Sequence, residues 1–390
     1  MDQLSHEDVV TLAARQEDAV VSIYLPVTSE PDKQDTNRIR LKNLAAAARA
    51  QLVENHGLRS PEADALLEPA LSMLTNGRFP VDSGATGLAL YLAANDHFVY
   101  TLPLPFQEQV VVGSRFYLKP LLPLLAQDGR FYILALSLGQ VQLLESTLYG
   151  VHAVALGDGV PQSLDEAMQY DDPEQHLQWH TGTDSRPQRP AAFHGHGVTG
   201  EETKKENIHR YFQQIDAGLK PLLHDEDTPL LLAAVDYLLP LYREANSYEH
   251  LLKETLQIDP QAMSARALHK LAWEKIFKPY LRQNQAAAVT RFNDLAETDW
   301  ASADLSEVTL AAHDGQIDVL LAARHQKKWG LFDAEKRQVM LHDQPETGDD
   351  ELIDLTAVQT LLHGGTVYLL PQENMPRQQP VAAIFRFPNE

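Results

Sequence analysis

The chain has 390 residues, with 54 acidic against 32 basic side chains, a net charge of −22 and no cysteine. That length exceeds one hydrophobic core, so two or three domains of about 100 to 150 residues are expected. The lack of cysteine excludes disulfides, thiolate metal sites and cysteine nucleophiles. The net charge argues against a protein that coats nucleic acid through its overall field. The first residues show no signal-peptide pattern and no apolar run approaches a membrane span, so a cytoplasmic protein is expected.

In chain order, the β-branched run at 20–25, stopped by Pro26, predicts a strand. A polar loop then leads to a helix on which Ile39, Leu44, Ala48 and Leu52 share a face. The runs 87–92 and 98–102 flank Asn95-Asp96 as a hairpin, and 110–112 adds a strand. Residues 116–125 contain Pro120 and Pro123, which predicts a short or broken helix. The polar stretch at 127–129 closes an N-terminal α+β domain, 1–127.

A new sheet is expected from 131–136, a turn at Leu138-Gly139, 141–145 and 151–156. Residues 157–200 form a long polar tract, of the kind that is either functional or without fixed structure. Thr199 and Glu202 have the spacing of a capping box, and Ile208, Tyr211, Phe212, Ile215 and Leu219 recur at helical spacing behind it. The run 230–235 reads as a buried strand, and 236–256 as one or two helices despite Pro240. These elements make a central α/β domain, 128–262, which carries 21 acidic and 9 basic residues.

Beyond Pro260 the pattern is helical to Lys278, past Pro279 to Leu295, and again at 304–312. A strand at 317–322, a helix lined by Leu352, Leu355, Val358, Leu361 and Leu362 and ended by Gly364-Gly365, and strands at 366–370 and 381–387 complete an α/β sandwich, 263–390. No internal repeat is evident.

The segment His194-Gly195-His196-Gly197-Val198-Thr199-Gly200 is a glycine-rich loop without a carboxylate, feeding a helix that carries Lys204, Lys205 and Arg210. Its glycines permit close approach to another molecule, although an ordinary linker has the same composition. Two runs counter the overall acidity. Arg38, Arg40, Lys42 and Arg49 stand without an acid between 36 and 53. From 260 to 293, Arg266, Lys270, Lys275, Lys278, Arg282 and Arg291 are opposed only by Glu274. Both are candidates for phosphate contact; the bland reading is a solvated helix face. His176 and His180, with His194 and His196, have spacing compatible with zinc on a helix, but the pair lacks a metalloprotease's internal glutamate, and surface histidines are the simpler reading. Neither a Walker loop nor a dinucleotide loop is matched, and no Ser/His/Asp set stands out. No metal or cofactor is expected.

The hairpin 131–145, the His-Gly-x-Gly loop 194–197, its helix with His209-Arg210-Tyr211, the strand 230–235, and the closing Gly364-Gly365-Thr366-Val367-Tyr368 and Ala382-Ala383-Ile384-Phe385-Arg386 together resemble the archaeo-eukaryotic peptide-chain release factor superfamily, above all its bacterial branch. The resemblance implies α/β and α+β domains: an N-terminal recognition domain, a central ribonuclease-H-like α/β domain, and a C-terminal α/β/α sandwich like the kink-turn-binding ribosomal proteins. Release factors carry Gly-Gly-Gln in the loop before the central helix, where it helps place the water that hydrolyses peptidyl-tRNA. Here that place reads Gly197-Val198-Thr199-Gly200, with neither the glycine pair nor the glutamine. Placing a water needs a hydrogen-bonding group at one spot, so the usual hydrolysis is not expected.

The implied function is a cytoplasmic ribosome- or tRNA-associated factor acting in rescue or dormancy. Its tip would be His194, Gly195, His196, Gly197, Val198, Thr199 and Gly200, with phosphate contact by Lys204, Lys205 and Arg210. Arg38, Arg40, Lys42, Arg266, Lys270, Lys275, Lys278 and Arg282 would be secondary RNA contacts. Two alternatives stand beside it: an ester hydrolase using the loop histidines or a bound metal, and an adaptor whose acidic central domain binds a protein.

Overall fold

The computed structural model describes residues 6–388 except 29, 31–33, 76–78, 80–84, 126–129, 148–149, 158, 170–197 and 224–227. The chain divides into two compact units, one formed by Met1–Asp128 with Leu281–Glu390, the other by Gly129–Tyr280.

The N-terminal part of the first unit contains α1 (His6–Ala14), β1 (Gln16–Pro26), α2 (Gln34–Glu54), α3 (Ser60–Thr75), β2 (Gly87–Ala93), β3 (Asp96–Leu102) and β4 (Gln109–Arg115). The sheet is antiparallel in the order β3-β2-β1-β4. Strand alternation sorts its faces. Val21, Ile23, Leu25, Leu88, Leu90 and Leu92 pack with Leu41, Leu44, Ala48 and Leu52 of α2 and Leu66, Leu67 and Ala70 of α3. Tyr24 and Tyr91 are also fully covered and contact each other, Phe106, Phe116 and Tyr117 at ring centroid distances of 4.9–6.3 Å. Ile39 does not share the buried face of α2 as expected. It is 60% exposed, and Leu41 takes its place because the stripe runs 41, 44, 48, 52.

The second unit contains β5 (Phe131–Leu136), β6 (Val141–Thr147), β7 (Gly150–Val154), α4 (Leu164–Gln169), α5 (Val198–Leu223), β8 (Leu230–Ala234), α6 (Leu238–Ala245), β9 (Leu251–Gln257) and α7 (Ala265–Ala272). Its sheet order is β7-β6-β5-β8-β9, with β5, β6 and β7 antiparallel and β5, β8 and β9 parallel. This is the ribonuclease-H-like arrangement. One face packs Leu134, Leu136, Leu143, Leu230 and Leu232 against α5 and α6; the other packs Phe131, Ile133, Leu231 and Ala233 against α7 and the following π-turn, Trp273–Phe277. Two expectations change here. Residues 251–257 form a parallel edge strand rather than helix, and the unit continues beyond 262 to Tyr280 because Leu268, Ala272 and Phe277 belong to its core.

Helix α8 (Lys278–Leu295) leads into the rest of the first unit: β10 (Ala301–Ser302), α9 (Leu305–His313), β11 (Ile317–Ala323), β12 (Trp329–Asp333), β13 (Gln338–His342), β14 (Asp350–Glu351), α10 (Leu352–Leu362), β15 (Thr366–Leu370) and β16 (Val381–Phe385). The larger sheet has the order β10-β16-β11-β15, with β11 and β15 parallel. Ala288 and Phe292 of α8 pack with Leu321, Ala323, Ala382 and Ile384. Gly364 ends α10 at φ +72°, a conformation that favours glycine. The small sheet β13-β12-β14 was not anticipated from the sequence.

Candidate functional site

Helix α5 begins at Val198, two residues before the start expected from Thr199 as cap, so Thr199 and Gly200 stand in its first turn. His194, Gly195, His196 and Gly197, like His176 and His180, lie outside the described residues. Past the first turn, Ile208, Tyr211, Phe212, Ile215 and Leu219 are buried on the sheet. Lys204, Lys205 and Arg210 are exposed on the remaining surface, and Lys204 and Lys205 make no ion pair with a described residue. His209 contacts Gln213 at 3.1 Å, one turn on.

The helix carrying these cations is tied down at several points. Buried Asp216 accepts the Ser247 amide N–H at 2.8 Å and the Ser247 hydroxyl at 2.6 Å. Tyr211 donates to the Ser137 carbonyl at 3.3 Å, and burial raises its phenol pKa. At Gly218 a Cβ would stand 2.3 Å from Val160 Cγ2, so only glycine admits this approach. The buried face fixes the spacing of the exposed side chains, in which Lys204 and Lys205 are followed by exposed Glu206.

On α7, Arg266 and Lys270 are exposed one turn apart, and Lys275 is exposed on the π-turn. Ser264 caps the helix by accepting the Ala267 amide N–H, and His269 contacts the Thr147 carbonyl at 2.7 Å. Lys278 is engaged by Glu274 at 3.3 Å. Arg282 belongs to the other compact unit, so the basic run read from the sequence is divided between the two. In the N-terminal run, Arg40 pairs with Glu108 at 3.0 Å, Arg49 pairs with Asp64 at 2.5 Å, and Arg38 is half-buried. Lys42 is exposed. The absence of local acids did not keep Arg40 and Arg49 unpaired, because their partners come from distant segments.

The sequence reading missed a buried ionic cluster in the first unit. Asp349, Asp350, Glu351 and Asp354 are each at most 8% exposed, and Lys119 is 2% exposed. Lys119 Nζ lies 3.5 Å from Glu351 and donates to the Gln326 carbonyl at 2.5 Å. Ser114 donates to Asp350 at 2.7 Å, while both oxygens of Asp354 accept the Leu118 amide N–H. Burial raises the Asp350 and Asp354 pKa values, and for Asp354 the nearby Glu351 charge adds to the rise. The His342 ring contacts Asp349 at 2.9 Å, and that partner raises the imidazole pKa. Among the described residues no group of three or more His, Asp or Glu side chains has the geometry of a metal site. Here the carboxylates receive the chain's own donors, as buried charges require.

The second unit thus sets a five-stranded mixed sheet against the long helix α5, on which Lys204 and Lys205 are exposed beside Glu206. Residues 131–279, which span most of the second unit, match the model of bacterial archaeo-eukaryotic release factor family 7, so this part of the chain is similar to that family. No curated protein matches the chain. Among solved structures, an archaeal translation termination factor, aRF1, is 14% identical, with 97% of this chain and 96% of that chain covered and a TM-score of 0.24. Dom34 from S. cerevisiae is 12% identical, covering 76% and 74%, with a TM-score of 0.36. Pelota from Thermoplasma acidophilum is 10% identical, covering 75% and 76%, with a TM-score of 0.22. Among the described residues no helix is long and apolar enough to cross a membrane.

Proposed function

We propose that the protein is a ribosome- or tRNA-associated translation factor acting in rescue or dormancy, without the hydrolysis that Gly-Gly-Gln performs. The observation that carries this reading is the release-factor match over 131–279 in a chain that contains no Gly-Gly-Gln sequence. The segment His194 to Gly200 is the tip that enters the partner. Lys204, Lys205 and Arg210 behind it meet phosphates, and exposed Arg266, Lys270 and Lys275 add a second cationic face on the central unit. In the first unit Lys42, Arg282 and Arg291 are the exposed members of the other basic runs, Arg291 being paired with Asp318, whereas Arg40 is held by Glu108.

The exposed cations suit nucleic acid despite the net charge, because phosphate contact is decided locally and is released by salt. The expected result is co-sedimentation of the full-length protein with ribosomal particles, weakening as salt rises. Added to ribosomes carrying peptidyl-tRNA, the protein releases no peptide above background. Absence from ribosomal fractions in growth, starvation and cold stress, with no shift on adding purified subunits, sinks the reading. Peptide release that disappears on replacing His194, His196 and Thr199 with alanine supports the hydrolase alternative instead.

A further inference from the structure

The first unit carries a second charged feature, at the end of β11. From 319 to 332 the sequence contains no carboxylate, yet it includes Arg324, His325, Lys327 and Lys328. Arg324, His325 and Lys328 are exposed, and no ion pair with a described residue engages them. Lys327 is half-buried, with its ammonium 5.1 Å from the centroid of the Tyr117 ring and 5.9 Å from that of Trp329. Burial lowers the Lys327 pKa.

The loop is anchored at each end and in the middle. The Arg324 amide N–H donates to the Leu370 carbonyl at 2.9 Å, and its guanidinium to Leu369 at 3.0 Å. Lys119 holds the Gln326 carbonyl, and the Lys328 amide N–H donates to Glu351 at 2.8 Å. Glu351 itself caps α10 by accepting the Ile353 and Asp354 amides. Glu351, the acid that meets this loop, is thus engaged by backbone amides and Lys119, while Arg324, His325 and Lys328 are exposed. Glu373, exposed on the turn after the neighbouring strand β15, makes no ion pair with them.

We infer that the anchored loop Arg324–Lys328 is an RNA phosphate-binding site, in which Arg324 and Lys328 contact consecutive backbone phosphates and His325 adds a donor. This rests on the ribosome reading and extends it to a site on the first unit. Anchoring removes much of the ordering cost that a mobile basic loop meets on binding. Phosphate also suits an exposed guanidinium and ammonium that lack a carboxylate partner.

The test compares the full-length protein with the Arg324→Gln/Lys328→Gln variant in binding to purified ribosomes and to protein-free ribosomal RNA across a salt series. Lys336→Gln serves as the control, because Lys336 is paired with Asp333 at 2.6 Å. Each phosphate that is no longer neutralised lowers the slope of log affinity against log salt by about 0.7–0.9, so the slope of the double variant falls by about 1.4–1.8 on both probes. Lys328→Gln alone, at an exposed side chain, carries the same test with a fall of about 0.7–0.9 should the double variant fold poorly. Unchanged affinity and slope overturn the inference and leave the ribosome reading standing. Weakened ribosome binding with unchanged binding to free RNA assigns the loop to a ribosomal protein and also overturns it. Failure of the wild-type protein to bind ribosomes overturns both readings.

Discussion

Asp354 accepts the Leu118 amide N–H through both carboxylate oxygens, at 3.0 and 3.1 Å, across 236 positions of sequence. The donor favours the charged carboxylate, but burial opposes it more strongly and Glu351 adds like-charge repulsion, so the pKa rises well above the ordinary value. Folding therefore binds this proton more tightly than the unfolded chain does. The stability it contributes is complete below the unfolded carboxylate pKa and is lost as pH rises toward the folded value. Urea unfolding between pH 4 and 8 should show a wild-type curve that declines relative to Asp354→Asn as pH rises. A constant difference between the two proteins across that window rejects the assignment.

Lys119 is the cation of the same cluster. Replacing it with methionine leaves Glu351 buried without its counter-charge and the Gln326 carbonyl without its donor. Loss of one partner from a buried pair costs roughly 3–5 kcal/mol. Chemical denaturation of Lys119→Met should show a loss of that order, and the double change Lys119→Met/Glu351→Gln should recover part of it. A loss below about 1 kcal/mol, the range of exposed pairs, contradicts the buried linkage.

What the sequence disclosed follows from how local each signal is. The α5 stripe from Ile208 to Leu219 was legible because helical spacing repeats within one segment. Strand β9 was misread because Leu252 and Leu256 are four apart, which suits a helix as well as one face of an edge strand. The central unit's extension to Tyr280 depends on Phe277 reaching Phe131, and the Asp354 linkage on Leu118; neither leaves a local pattern. Of the candidate site, the exposed cations at 204, 205, 266, 270 and 275 were readable as such. Pairing of Arg40 with Glu108 was not, because composition within a window says nothing about acids brought from elsewhere.

Phe277 stacks on Phe131 with centroids 4.1 Å apart, and both side chains are fully buried. Phe277→Ala removes a ring from the centre of the α7 face of the sheet and costs about 3–5 kcal/mol. The effect should fall on residues 131–257. Hydrogen exchange read by mass spectrometry should show faster exchange across β5, β8 and β9, with β11 and β16 unaffected. Unchanged protection in β5 shows that the α7 segment adds nothing to the central core.

Lys204 and Lys205 project from α5 while the buried face one turn further on keeps the helix in place. Their replacement by glutamine removes charge without touching the core, so stability stays within about 0.5 kcal/mol of wild type. Ribosome binding should weaken, and the slope of log affinity against log salt should fall by about one for each phosphate that a lysine had engaged. Glutamine at Lys220, exposed near the other end of the same helix, serves as the positional control. An equal weakening from Lys220→Gln indicates a response to net charge alone; an effect confined to Lys204 and Lys205 localises binding to the helix start.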